Sequence, residues 1–146
     1  MHRKPASNAE PSGVQIDRNR LDPAMLRKFR SDSPRDQLLA VPDAVDELFA
    51  NDDFNGCFFV NVAVQIPLPH VPGHQVAAAH KDSMGAIIRE LGGYAGAEEP
   101  AAFAQEMSLL MEGAYVTRQV TRDPETGDIA RRMINMLVER YLLASR

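Results

Sequence analysis

Residues 74–92 read HQVAAAHKDSMGAIIRELG. Apolar side chains fall at Val76, Ala77, Met84, Ile87, Ile88 and Leu91, with His80 on the same side. Steps of three and four put one face inward on a helix, whereas a half-buried strand would alternate every second residue. The stretch carries no proline and ends on Gly92-Gly93, which predicts a long helix from about 74 to 92 closed by a left-handed glycine cap.

The same grammar extends in both directions. Downstream, Glu98-Glu99-Pro100 opens a helix with acids in its first turn, followed by Phe103, Met107, Leu110, Met111, Ala114 and Val116 at helical steps to about Val120. Asp123-Pro124-Glu125 opens the last helix, whose apolar residues run from Ile129 to Leu142. Upstream, the proline-rich link Pro67 to Pro72 follows an apolar run, Cys57 to Gln65. Periodicity does not decide between helix and strand for that run; helical neighbours on both sides favour a buried helix. Ser33-Pro34, a cap followed by proline, starts a helix to about residue 50, with Pro42 expected to kink or break it. Asp22-Pro23 starts a short helix over 21–30, and the polar residues 1–20 read as a flexible basic tail. The expected fold is therefore all-α, a bundle of about six helices over residues 21–146.

Composition suits that fold and narrows the function. Aromatics make up 6% and tryptophan is absent, so Leu, Val, Ile, Ala and seven Met must fill the interior, as helix-on-helix packing allows. No apolar run approaches the roughly 18–20 residues of a membrane span, and the one cysteine excludes an internal disulfide framework. A cytoplasmic setting is expected. Residues 1–35 hold eight basic and four acidic residues, and residues 36–146 hold eight and sixteen. The basic residues are scattered without interleaved aromatics, so a solvated tail is favoured over a nucleic-acid arm.

No catalytic constellation is evident: there is no nucleophile elbow, phosphate loop or dinucleotide fingerprint. His70, His74 and His80 lack the spacing and companion ligands of a zinc site, so no metal or cofactor is expected. Cys57, set in Phe58-Phe59-Val60, reads as structural. Glu112 is a charge among apolar residues, at either a helix edge or a pocket wall. Asn61 and Gln65 are four apart on one face of the apolar helix, and buried amides need partners, which a ligand could supply. Gly113 sits inside a strong helix where it costs about 1 kcal/mol against alanine. With Ala114 and Thr117 it offers a close helix crossing. The last helix is apolar on more than one face, which implies two things to pack against, the second being another subunit.

Gly56-Cys57-Phe58-Phe59-Val60-Asn61, then Pro67 and Pro69, then the helix carrying His80-Lys81, then Leu109 to Ala114 and a final helix with Arg131-Arg132 form an ordered set. This set resembles the C-terminal half of TetR-type transcriptional regulators, over roughly residues 33–145. The resemblance implies a helix-lined cavity for a small apolar effector and a homodimer through the last two helices. Under that reading Asn61, Gln65, His80, Met84, Met107, Met111 and Tyr115 are expected to touch the effector. Gly113, Val116, Thr117, Val120, Ile134, Leu137, Val138 and Tyr141 are expected at the dimer interface. The family's helix-turn-helix has no counterpart in the residues before position 33, so DNA reading would have to come from a longer product or a partner. The competing reading is a ligand-free interaction module that pairs with a full-length regulator.

Overall fold

The computed structural model describes residues 33–142, and every regular element in that span is helical. In chain order these are α1 (Pro34–Leu39), α2 (Val41–Phe49), α3 (Phe58–Gln65), α4 (Pro72–Tyr94), α5 (Pro100–Thr121) and α6 (Thr126–Leu142). The expected helix at 21–30 and the expected tail lie outside the described residues.

Proline punctuates four of these starts. Pro34, Pro42, Pro72 and Pro100 each sit in the first turn of a helix, where the missing N–H is an orphan anyway. Ser33 caps α1 through its side chain, which accepts from the Asp36 N–H at 3.4 Å. Pro42 does interrupt the 34–50 pattern, and the break falls at Ala40, so the proline opens α2 instead of kinking a single helix.

Two expected boundaries move. Helix α4 starts at Pro72 and continues through Gly92-Gly93 to Tyr94, with its cap Ala95 in ordinary right-handed geometry. Gly92 serves packing: a Cβ there would stand 2.7 Å from Phe103 Cδ1, so the glycine lets α4 approach α5. The left-handed cap occurs instead at Arg122, which ends α5 with φ 57°.

Helix α5 packs between α4 and α6, α2 lies on α6, α3 on α4, and α1 against α4. Their shared core joins Leu38, Val45, Phe49, Leu91, Phe103, Met107, Ile134 and Val138. Arginines tie the short N-terminal elements to the α5–α6 hairpin. Arg131 of α6 donates to Asp46 at 3.0 Å and to Asp43 at 2.7 Å, both on α2. Arg118 donates to the Phe49 carbonyl at 3.0 Å, and Arg122 to the Phe54 carbonyl at 2.6 Å. Arg118 thereby satisfies a carbonyl at the C-terminal end of α2, one that a helix end leaves without an internal partner, and Arg122 satisfies one in the turn that follows.

Candidate functional site

Two regions stand out, one on the outside of the α5–α6 hairpin and one between α4 and α5.

The outer face of the hairpin is apolar and open. Leu109 is 77% exposed, Val120 74% and Met136 68%, and Val116, Ile129 and Met133 are exposed beside them. A groove of about 810 Å³ runs along this face, floored by Gly113, Ala114 and Thr117 of α5 and by Ile129, Met133 and Leu137 of α6. Glu106 and Arg140 stand at its edge, 3.3 Å apart. A Cβ added at Gly113 would meet nothing within 4 Å. That glycine therefore does nothing for packing within the chain. The patch is apolar at its centre and charged at its rim, the make-up common to contact surfaces and ligand grooves.

Between α4 and α5 the surroundings are mixed. Lys81 of α4 and Glu112 of α5 form an ion pair, each side chain about a third exposed. Burial pushes the Lys81 ammonium below its usual range, and the charge of nearby Cys57 partly opposes that. The His80 ring stacks on Phe59 of α3, centroids 3.8 Å apart and nearly parallel at 15°. Met84, Met111 and Tyr115 are partly buried against the core. Tyr115 closes an aromatic cluster with Phe49 and Phe54, centroids 5.8 and 5.7 Å away.

No family model matches the chain. Curated relatives do: the HTH-type transcriptional regulator YjdC of Escherichia coli K12 is 31% identical over 97 residues, covering 66% of this chain and 51% of the relative. Its counterpart from Shigella flexneri matches equally. The chain thus spans about half the length of the curated relatives it matches. Among solved structures, a TetR-family transcriptional regulator from Streptomyces coelicolor superposes with a TM-score of 0.74 at 21% identity, over 81% of this chain and 62% of that one. A protein assigned as a TetR transcriptional regulator from Streptomyces avermitilis gives 0.70 at 26% identity, over 85% and 65%.

The chain has the fold of the TetR-type regulators. The all-helical architecture read from the sequence is the TetR-type one, and the relatives it matches are transcriptional regulators. Among the described residues, no helix is long and apolar enough to cross a membrane.

Within this TetR-type fold the individual residues divide. Gly113, Thr117 and Leu137 line the outer groove, and Val116 and Val120 are exposed on the same helix, α5. Ile134, Val138 and Tyr141 do not reach that face. They are buried in the chain's own core, Tyr141 edge-on to Phe103 with centroids 5.6 Å apart. The exposed apolar residues of α6 are Ile129, Met133 and Met136, the stripe one position earlier.

His80, Met84, Met111 and Tyr115 sit on the half-buried parts of α4 and α5. Met107 is wholly buried in the core, so it presents no surface to a ligand. Asn61 is occupied by protein: its Nδ2 donates to the Asn55 carbonyl at 2.8 Å, and its Oδ1 accepts from Gln119 Nε2 at 3.2 Å. Gln65 is exposed at the end of α3, so the two amides do not converge on one site. Glu112 proves to be the partner of Lys81, a lysine that the sequence reading quoted for the family resemblance and gave no role in the site. His74 Nδ1 meets the Ile66 carbonyl at 2.8 Å, so that nitrogen carries the proton and caps the end of α3.

Proposed function

We propose that this chain is the effector-binding and dimerising part of a TetR-type transcriptional regulator, pairing with a second copy through the outer faces of α5 and α6. The observation that carries the reading is the open apolar groove around Gly113. Two copies related by a two-fold axis would bring Gly113, Thr117, Met133 and Met136 against the same residues, as a self-complementary interface requires. The small floor of the groove admits a close helix crossing, and the exposed Leu109, Val120 and Met136 supply apolar area to bury. An effector would be held between α4 and α5, and its binding would act on the hairpin that forms the dimer.

Light scattering on the purified chain tests the pairing. A mass twice that of the 16.1 kDa chain is expected, and a monomer at all concentrations would overturn the reading.

A further inference from the structure

Residues 50–57 join α2 to α3 and contain the dipeptide Asn55-Gly56. Phe54 is buried and Arg122 holds its carbonyl, so the chain enters the dipeptide from a fixed point. It leaves into α3 through Cys57, the cap of that helix. Asn55 itself is exposed. Its Oδ1 meets Gln119 Nε2 at 3.5 Å, the outer limit of a hydrogen bond, so the carboxamide is lightly held. Among the described residues, no acceptor takes the Gly56 N–H. Gly56 stands at φ +74° and has no side chain to shield its nitrogen.

An asparagine carboxamide carbon is an electrophile, and the nitrogen of the next residue reaches it by closing a five-membered ring. The other asparagines of the described span are placed less favourably. Asn61 and Asn135 lie inside α3 and α6, where the following N–H is spent on the helix ladder. Asn51 precedes Asp52, not a glycine, and its Oδ1 accepts from the Asp53 N–H at 3.0 Å.

We propose that Asn55-Gly56 is a site of spontaneous covalent modification in the folded chain, and that one of its two products frees the start of α3. The Gly56 nitrogen gives up its proton and bonds to Asn55 Cγ. The Cγ–Nδ2 bond breaks, and ammonia leaves with that proton, giving a cyclic imide. Water then opens the ring. Opening at Cγ gives aspartate, and opening at the former main-chain carbonyl gives isoaspartate. In both cases an amide and water have become a carboxylic acid and ammonia, with no oxidant or reductant.

The two products act differently. Aspartate keeps the backbone and turns the Gln119 contact into a charge-assisted one. Isoaspartate routes the chain through the side chain, adding a methylene and about 1.5 Å of backbone between Phe54 and α3. The carbonyl that accepts from Asn61 Nδ2 at 2.8 Å leaves the main chain as a carboxylate. Asn61 then loses its fixed tie to the Phe54 anchor, and its contact with Gln119 at 3.2 Å goes with it.

The intact chain, incubated at neutral and at mildly alkaline pH and mapped by mass spectrometry of its peptides, tests the site. Asn55 is expected to convert at least tenfold faster than Asn51, Asn61 or Asn135. Its rate should lie within tenfold of that in the urea-unfolded chain and rise with pH, because an amide proton must leave. Isoaspartate chains, separated by chromatography, are expected to exchange the amide hydrogens of α3 at least tenfold faster than unconverted chains. Asn55→Asp, which carries the other product, should exchange them no faster than wild type. Conversion of Asn55 no faster than Asn135, or more than tenfold slower folded than unfolded, overturns the site. Equal α3 exchange in isoaspartate and unconverted chains overturns the effect on the helix.

Discussion

Met133 and Ile134 are consecutive in α6, about 100° apart around its axis, and meet different surroundings, Met133 51% exposed on the outer groove and Ile134 fully buried against the core. The two side chains divide the helix between the proposed interface and the fold. Ile134→Ala is expected to destabilise the chain by about 2–5 kcal/mol. Met133→Lys should change chain stability by no more than about 0.5 kcal/mol, yet weaken self-association by more than about a hundredfold, because pairing would bury an unmatched charge. Urea unfolding and sedimentation at several concentrations separate the two effects. If Met133→Lys leaves the association constant alone, the interface lies elsewhere.

Gly113 faces the groove with nothing near its Cβ position. Gly113→Ala is expected to raise the unfolding free energy of the single chain by up to about 1 kcal/mol through helix propensity. Gly113→Leu should fold as well and pair poorly, since the added side chain would hold the two helices apart. Equal pairing by Gly113→Leu and wild type would show that no close crossing occurs at this residue.

Gly56 holds φ +74°, and a Cβ there would run into the Gln119 carboxamide, whose Cδ lies 2.8 Å away. Gly56→Ala is expected to destabilise by about 1–2 kcal/mol from the left-handed backbone alone. It should also dislodge Gln119 from Asn61. In a double-mutant cycle, Gly56→Ala with Gln119→Ala should therefore cost less than the two singles together. Strict additivity would mean that the carboxamide moves aside freely.

The Tyr141 hydroxyl donates to Glu106 Oε1 at 2.7 Å, which holds the phenol above its ordinary range; burial and the Glu106 charge add to this, and Arg140 opposes it. A raised folded-state value means the contribution to stability is complete below the unfolded phenol value and is lost as pH climbs through the folded one. Comparing wild type with Tyr141→Phe by ultraviolet titration should show one tyrosine ionising above 10.0 that the variant lacks. A difference curve centred at or below that value contradicts the assignment.

Gly92 and Phe103 make the tightest glycine contact between α4 and α5. Gly92→Ala is expected to destabilise by about 1–3 kcal/mol despite the better helix former, because the interface has no room for the methyl group. Thermal unfolding decides this, and a rise in midpoint would mean the helices part readily.

Much of the architecture could be read from the chain because helix period, proline starts and apolar runs are local signals. Proline placed the beginnings of α1, α2 and α5 close to where they fall. The phase of α6 was harder. Ile129, Met133 and Met136 form one apolar stripe, and Ala130, Ile134, Val138 and Tyr141 form another. Periodicity alone does not say which one faces in. That choice is made by distant partners: Arg131 reaching Asp43 and Asp46, and Gly127, where an added Cβ would stand 3.0 Å from Asp46 Oδ1. Asn61 shows the same limit, since its amide meets Gln119, 58 residues away in the chain.

Arg118 and Gly113 share α5, five residues or about 7.5 Å apart along its axis. One belongs to the proposed contact with a second copy, the other grips the turn after α2. A rigid helix between them acts as a ruler. Losing or gaining a single residue in that span would swing Arg118 and Arg122 by about 100° around the axis, away from the Phe49 and Phe54 carbonyls. Homologous chains that keep both contacts should therefore vary here by substitution and hold the spacing between the two positions constant.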